Sequence, residues 1–167
     1  NVPFMDSLSY SFLAYVAYTV ALFLWSPLRK NRWDIRLVES ERVRRSLKVV
    51  FSGAVFFMLM DVIIDSVAFR GDRWFLGKIY TYKEQGEYFN IPLTNFLGWL
   101  FVGTVILYSF TQLDGWLTRT FPHKQHEVPA QALLGPALYF GVLLFNLVVT
   151  FYIGEWALGT CGVGLAF

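Results

Sequence analysis

Cysteine and charged residues are both scarce in this sequence. Cys161 is the only cysteine among 167 residues, which excludes an internal disulfide framework and a metal site built from several thiolates. Charged residues make up 16% of the chain and the net charge is only +2, so the charge balance does not indicate nucleic-acid binding. The apolar stretches lack the polar–apolar alternation of membrane β-strands, which argues against a β-barrel.

Apolar residues, by contrast, are abundant. Hydrophobic residues account for 56% of the chain and aromatic residues for 19%, a composition that indicates a membrane protein rather than a soluble domain. The chain starts at Asn1 rather than at a methionine, and no basic segment precedes an apolar core. We therefore predict no signal peptide and expect the full-length protein to begin further upstream.

Four apolar segments are each long enough to cross a bilayer, which takes about 20 residues. We predict transmembrane helices near residues 4–26, 48–69, 90–112 and 130–154. The predicted fold class is therefore all-α, a polytopic transmembrane helix bundle that forms a single integral membrane domain over residues 1–167.

The loop at residues 27–48 is strongly basic, with eight Lys and Arg residues. The positive-inside rule places this loop in the cytoplasm and both chain ends outside. Glu41 and Arg45 are spaced for an i,i+4 pair, and apolar residues between Ile35 and Leu47 predict that part of the loop is helical. A solvated or interface-lying helix is the favoured interpretation, and an anionic-lipid site is the alternative.

Polar residues of all four predicted helices fall in the same half of the membrane, because neighbouring helices run in opposite directions. This half holds the ends of the second and fourth helices and the starts of the first and third. The polar and aromatic residues concerned are Asp6, Tyr10, Asp61, Asp65, Asn90, Asn95, Trp99, Asn146, Thr150 and Glu155. We therefore predict an intramembrane site formed by side chains of facing helices.

Asp61 and Asp65 are the most informative of these residues. They lie one helical turn apart, so they share a helix face inside an otherwise apolar segment. Two carboxylates cannot both ionise at low cost in a low dielectric, and we expect at least one of them to hold a proton. Such a pair combines a general acid with a group that stabilises a cation. The alternative is a structural pair, hydrogen-bonded to Asn95 or paired with Arg70.

Two further motifs carry less weight. The PHKQHE segment at residues 122–127 spaces His123 and His126 as zinc ligands can be spaced, but without a further nearby ligand a solvated loop is favoured. The glycine-rich tail at residues 159–167 follows no strand, so a phosphate-binding loop is not indicated. The sequence also shows no internal repeat of the kind that builds inverted-repeat transporters.

Residues 58–77, MLMDVIIDSVAFRGDRWFLG, and residues 86–103, GEYFNIPLTNFLGWLFVG, resemble a known membrane protein family. It is the carotenoid-biosynthesis protein family that includes carotenoid hydratases, such as the bisanhydrobacterioruberin and γ-carotene hydratases. The resemblance extends from the first helix to about residue 110. The residues that carry it are Asp61, Asp65, Trp74, Gly86, Tyr88, Pro92, Asn95, Phe96, Gly98 and Trp99. The family pattern has proline where this chain has Ser66, and its members are longer upstream, so this chain resembles a partial copy.

The resemblance implies an enzyme that adds water to the terminal isoprenoid double bond of an acyclic carotenoid through a tertiary carbocation. It implies a multi-pass protein of a prokaryotic cell membrane, with a lipophilic carotenoid substrate and no cofactor or metal. The lipid bilayer and other enzymes of the same pathway are the expected partners, and nucleic acid is not. The implied catalytic residues are Asp61, Asp65 and Asn95, and the implied substrate-binding residues are Tyr88, Asn90, Phe96 and Trp99.

Three alternatives to a hydratase remain open from the sequence. An isomerase or cyclase acting on a polyene or prenyl lipid would use the same protonation step and differ only in its product. A carotenoid-binding subunit without catalytic activity would not need the carboxyl pair. A small ion-coupled transporter would use the same carboxylates to carry protons or sodium.

Overall fold

The computed structural model describes residues 4–31, 34–38, 40–77, 86–121 and 128–166. Within these ranges the chain forms six α-helices, one β-hairpin and one short 3-10 turn. The elements in chain order are α1 (Phe4–Trp25), β1 (Leu28–Asn31), β2 (Asp34–Leu37), α2 (Glu41–Arg44), α3 (Leu47–Ala68), the 3-10 turn (Gly71–Arg73), α4 (Leu93–Thr120), α5 (Gln131–Tyr152) and α6 (Trp156–Ala166).

The predicted all-α helix bundle is confirmed. Among the described residues, three helices rather than the predicted four are long and apolar enough to cross a membrane, namely α3, α4 and α5. Helix α1, Phe4–Trp25, has 22 residues and matches the first predicted span closely, and its part with described side chains, Ser9–Trp25, is an apolar helix of shorter length. Helix α4 ends at Thr120 rather than near residue 112.

Helix α3 lies at the centre of the bundle and contacts α1, α4, α5 and α6. Its approach to α4 is close because α4 presents Gly103, where an added Cβ would lie 2.8 Å from Phe57 Cδ1 and 3.5 Å from Ala54 Cα. A larger residue at this position would separate the two helices. The close packing therefore sets the register in which the end of α3 meets the start of α4.

The basic loop differs from its prediction. A helix was expected to include Ile35, but residues 28–31 and 34–37 form an antiparallel hairpin in which Ile35 pairs with Lys30. The hairpin is closed at its base by a hydrogen bond from Val38 N–H to the Pro27 carbonyl, 2.8 Å. Only the short helix α2 follows. The expected i,i+4 contact joins its first residue to its C-cap residue, with Arg45 Nη1 donating to Glu41 Oε1 at 3.1 Å.

Helix α6 was not predicted from the sequence, although it contains several glycines. Those glycines let the helix pack closely on its neighbours. A Cβ on Gly159 would lie 2.5 Å from Phe151 Cε1, and a Cβ on Gly162 would lie 2.7 Å from Leu147 Cδ2. Packing against α5 therefore offsets the low helix propensity of glycine, which costs about 1 kcal/mol per residue.

Replacing Gly135 with alanine is expected to destabilise the bundle by about 1–3 kcal/mol, because α1 and α5 must then move apart. An added Cβ would lie 1.9 Å from Thr19 Oγ1 and 2.5 Å from Thr19 Cβ. Thermal unfolding in detergent micelles measures the effect. Gly141→Ala is the matched control, since nothing lies within 4 Å of its added Cβ. A Gly135→Ala variant as stable as Gly141→Ala would contradict the close packing.

Candidate functional site

The structure brings three polar side chains of the predicted site together between α3 and α4. Asp61 and Asp65 are buried, with 6% and 9% of their surface exposed. Asn95, in the first turn of α4, donates from Nδ2 to Asp65 Oδ2 at 3.1 Å and to Asp61 Oδ2 at 3.5 Å. One amide group thus bridges both carboxyl groups, more closely at Asp65.

A tight turn before α4 delivers Asn95 to this position. Tyr88 and Ile91 exchange two backbone hydrogen bonds, 3.1 and 2.8 Å, across a two-residue turn. Phe89 and Asn90 occupy that turn with positive φ angles of 48° and 73°, a conformation that asparagine tolerates well. Gly86 is required beside it, since a Cβ there would lie 2.0 Å from the Ile91 carbonyl carbon.

Asn90 therefore has a role in the backbone, because it allows the positive φ angle that the turn needs. Its side chain is exposed in the turn, whereas the resemblance implied a substrate contact. Pro92 follows as the N-cap residue of α4 with φ of −66°, an angle that the proline ring fixes in advance. The segment from Tyr88 to Pro92 is thus built to start α4 at one defined place.

Two groups of aromatic rings lie next to the carboxyl pair along the helices. Trp99 follows Asn95 by one turn of α4, and its ring contacts Tyr10 of α1 at 4.6 Å and Phe57 of α3 at 5.7 Å between centroids. On the other side, Tyr88 packs edge-on against Phe96 at 5.7 Å. Aromatic faces carry negative charge density that attracts a cation.

Tyr88 and Phe96 belong to a small apolar cluster of their own. Both pack with Val62 and Ile91, and Met58 covers the same cluster. Val62 directly follows Asp61 on α3, so this cluster borders the carboxyl pair. Three of the predicted side chains, Tyr88, Asn95 and Phe96, therefore meet the last third of α3. The fourth, Trp99, contacts Phe57 near the middle of that helix.

Arg70, the cation of the structural alternative, is engaged elsewhere. Its Nε lies 3.1 Å from Glu155 Oε1, and its Nη1 donates to the Ser66 carbonyl at 2.8 Å. Arg73 binds the same Glu155 carboxylate. The Arg70–Glu155 pair fixes the end of α3 to the start of α6.

Not every polar residue at this depth joins the site. Asn146 and Thr150 are buried in α5 but donate to carbonyl groups of their own helix, those of Val142 at 2.9 Å and Asn146 at 2.7 Å. Ser66, at the position where the family pattern has proline, likewise donates to the Val62 carbonyl at 2.5 Å. A polar residue that is predicted at the same depth as Asp61 and Asp65 therefore need not belong to the site.

Other sequence predictions fall outside what the structure describes. The His123 and His126 segment lies in the gap between residues 121 and 128, and the side chain of Asp6 is not described. Within the described part of the chain, no group of three His, Cys, Asp or Glu residues could hold a metal ion.

Two aromatic residues from other helices contact the Trp99 indole. Tyr10 belongs to the set of residues predicted to share the site, and its ring contacts Trp99. Phe57 was not predicted there, and it contacts the same indole. A sequence signal did exist for Tyr10, since α1 must begin in the half of the membrane where α3 ends. None existed for Phe57, because an apolar helix carries phenylalanine on every face.

The chain was compared with curated proteins, with solved structures and with models of protein families. No curated protein and no solved structure matches it significantly. The family model described as "Carotenoid biosynthesis protein" matches residues 1–167. Because that match covers the whole length, the chain belongs to the carotenoid biosynthesis protein family.

Proposed function

We propose that this protein hydrates the terminal isoprenoid double bond of an acyclic carotenoid. The observation that supports the proposal is the buried Asp61–Asp65 pair, bridged by the Asn95 amide and flanked by aromatic rings. Hydration of an alkene needs an acid, a site that tolerates a carbocation, and a positioned water molecule. The pair and its surroundings offer groups suited to all three needs.

The reaction balances on the carboxyl pair alone. One aspartate, in its protonated form, gives its proton to the hydrogen-bearing carbon of the double bond, which leaves a tertiary carbocation and a carboxylate. The oxygen of a water molecule then bonds to the cationic carbon. A proton of that water returns to a carboxylate of the pair, so the product is a tertiary alcohol and the acid is regenerated. The two aspartates act as one titrating unit.

Asn95 has two tasks in this scheme. Its Nδ2 holds the two Oδ2 atoms next to each other, which stabilises one charge shared over the pair. Its amide oxygen is an acceptor that can hold a water molecule for attack. An apolar residue of the same size could neither donate to the two carboxyl groups nor hold a water molecule.

Trp99 is the aromatic residue best placed to stabilise the carbocation. It lies one turn along α4 from Asn95, and its ring is supported by Tyr10 and Phe57. The Tyr88–Phe96 cluster would then contact the neighbouring part of the polyene. An apolar substrate dissolved in the bilayer can reach such a site sideways between helices, which is consistent with a position inside the membrane.

The test is mass spectrometry of carotenoids from cells that make an acyclic polyene together with the full-length protein, grown in ¹⁸O-labelled water. A product heavier by one labelled water molecule, present only with the protein, supports hydration. An isomer of unchanged mass would instead identify an isomerase or cyclase. An unchanged profile with several polyenes, with the protein shown to be in the membrane, would contradict an enzyme and favour a binding subunit or transporter.

A further inference from the structure

The basic end of the bundle carries more positive charge than its acids compensate. Residues 27–48 contain eight basic and three acidic residues, a net charge of +5. Acidic groups neutralise only some of the cations. Arg44 pairs with Asp114, Arg45 and Arg119 both contact Glu41, and Arg36 pairs with Asp34.

The β1–β2 hairpin has two different faces, because residues opposite each other in an antiparallel pair lie on the same face. One face carries Arg29 directly opposite Arg36. Like charges directly opposite each other destabilise a strand pair unless an anion lies between them. Arg29 is exposed and has no acidic partner among the described residues. The Arg29 guanidinium is therefore a positive charge that no acidic side chain among the described residues neutralises.

Asp34, the acid that binds Arg36, already has a second partner. Its Oδ1 accepts a hydrogen bond from Ala130 N–H at 2.9 Å, and its other oxygen binds Arg36. The bond from Ala130 and the Arg36 guanidinium hold the pKa of Asp34 below its usual range, so it remains a carboxylate at neutral pH. The same contacts fix the hairpin to the start of α5, which gives its arginine face a defined orientation.

The opposite face of the hairpin carries three apolar residues and one lysine. On this face Leu28 pairs with Leu37 and Ile35 pairs with Lys30, and Leu28 is 47% exposed. The hairpin begins just after Trp25, whose ring lies 5.4 Å from Lys48 Nζ at the start of α3. Tryptophan and lysine at helix ends are typical of the headgroup region. The anion that is abundant at this level is the phosphate of a phospholipid.

We propose that the Arg29–Arg36 face of the hairpin binds the phosphate of an anionic phospholipid, with the Leu28–Leu37 face turned towards the acyl chains. Guanidinium groups suit this partner because their planar fork matches two phosphate oxygens. The site is independent of the carboxyl pair, which lies at the other end of α3. It would hold the hairpin, and through Asp34 the start of α5, against the membrane surface.

Native mass spectrometry of the full-length protein in detergent tests this site, with phosphatidylglycerol and phosphatidylcholine added in turn. We expect retained phosphatidylglycerol on the wild type and about fivefold weaker binding for Arg29→Gln, the loss expected for one cation near a lipid headgroup. Arg29→Lys should bind between the two, because it keeps the charge and loses the fork.

Arg119→Gln is the matched control, since it removes one exposed positive charge from the same end of the bundle, where Arg119 contacts Glu41. It should bind phosphatidylglycerol as the wild type does. Equal weakening by Arg119→Gln would overturn the proposal, because the lipid would then be attracted only by the overall charge of this end of the bundle. Equal binding of phosphatidylcholine would also overturn it, because the site would then show no preference for an anionic lipid. Displacement of the lipid by an equal concentration of inorganic phosphate would overturn it in favour of a free-anion site.

Discussion

Replacing either Asp61 or Asp65 with asparagine is expected to lower the rate of hydration by about 10²–10⁴-fold, the range typical of a lost general acid. An amide has no proton that it can give to an alkene, and the remaining aspartate alone cannot serve as acid and counter-charge in the same way. The rate is measured as labelled product formed per amount of membrane-inserted protein. Asparagine has nearly the same shape and no charge, so the helix packing should be preserved.

Asp72→Asn is the control for this pair. Asp72 lies exposed in the 3-10 turn that follows α3, so the same chemical change there should leave both rate and stability unaltered. Thermal unfolding of all variants separates lost chemistry from lost folding. Full activity of Asp61→Asn and Asp65→Asn would remove the carboxyl pair from the mechanism. Loss of activity together with loss of folding would support the structural alternative instead.

Trp99→Leu is expected to lower the rate about 30-fold, because leucine fills the space without offering a π face to the cation. A buried cation–π contact contributes roughly 2 kcal/mol or more, and about 1.4 kcal/mol corresponds to a factor of ten. Trp99→Phe should lose less, since it retains an aromatic ring. The matched control is Phe101→Leu on the same helix, where Phe101 is exposed on the outside of α4 and a change should have no effect on the rate.

A second series distinguishes charge stabilisation from packing at the same place. Tyr10→Phe should keep most of the activity, whereas tryptophans carrying more and more fluorine at position 99 should slow the reaction step by step. Fluorine withdraws electron density from the ring face while changing its shape little. A rate that is independent of fluorination would contradict a cationic intermediate next to the Tyr10–Trp99 pair and leave these rings a packing role only.

Several features of this protein follow from residues that are close in the sequence. The apolar segments predict the helices of the bundle, because burying backbone polar groups in lipid requires each segment to satisfy its own hydrogen bonds. The spacing of Asp61 and Asp65 places them on one face of α3 for the same local reason. The contact between Glu41 and Arg45 in and after α2 is likewise a consequence of helical spacing.

Elsewhere, local patterns were misleading because a distant contact decided the structure. The residues from Leu28 to Leu37 form a hairpin because the two strands pair with each other and Asp34 reaches the start of α5. Helix α6 forms despite its glycines because Gly159 and Gly162 allow it to pack on α5. Propensity is a weak guide wherever such tertiary contacts are available.

The sequence by itself thus determined a bundle of apolar helices and which polar residues, the carboxyl pair among them, lie towards the same end of it. Only the tertiary structure decided that Asn95 meets that pair while Asn146 bonds within its own helix. The physical reason is that the position of a residue along the bundle axis follows from the direction in which its helix runs, which is a local property of the chain. Which face a helix turns towards its neighbour depends on packing, here on the close contact of Gly103 with Ala54 and Phe57.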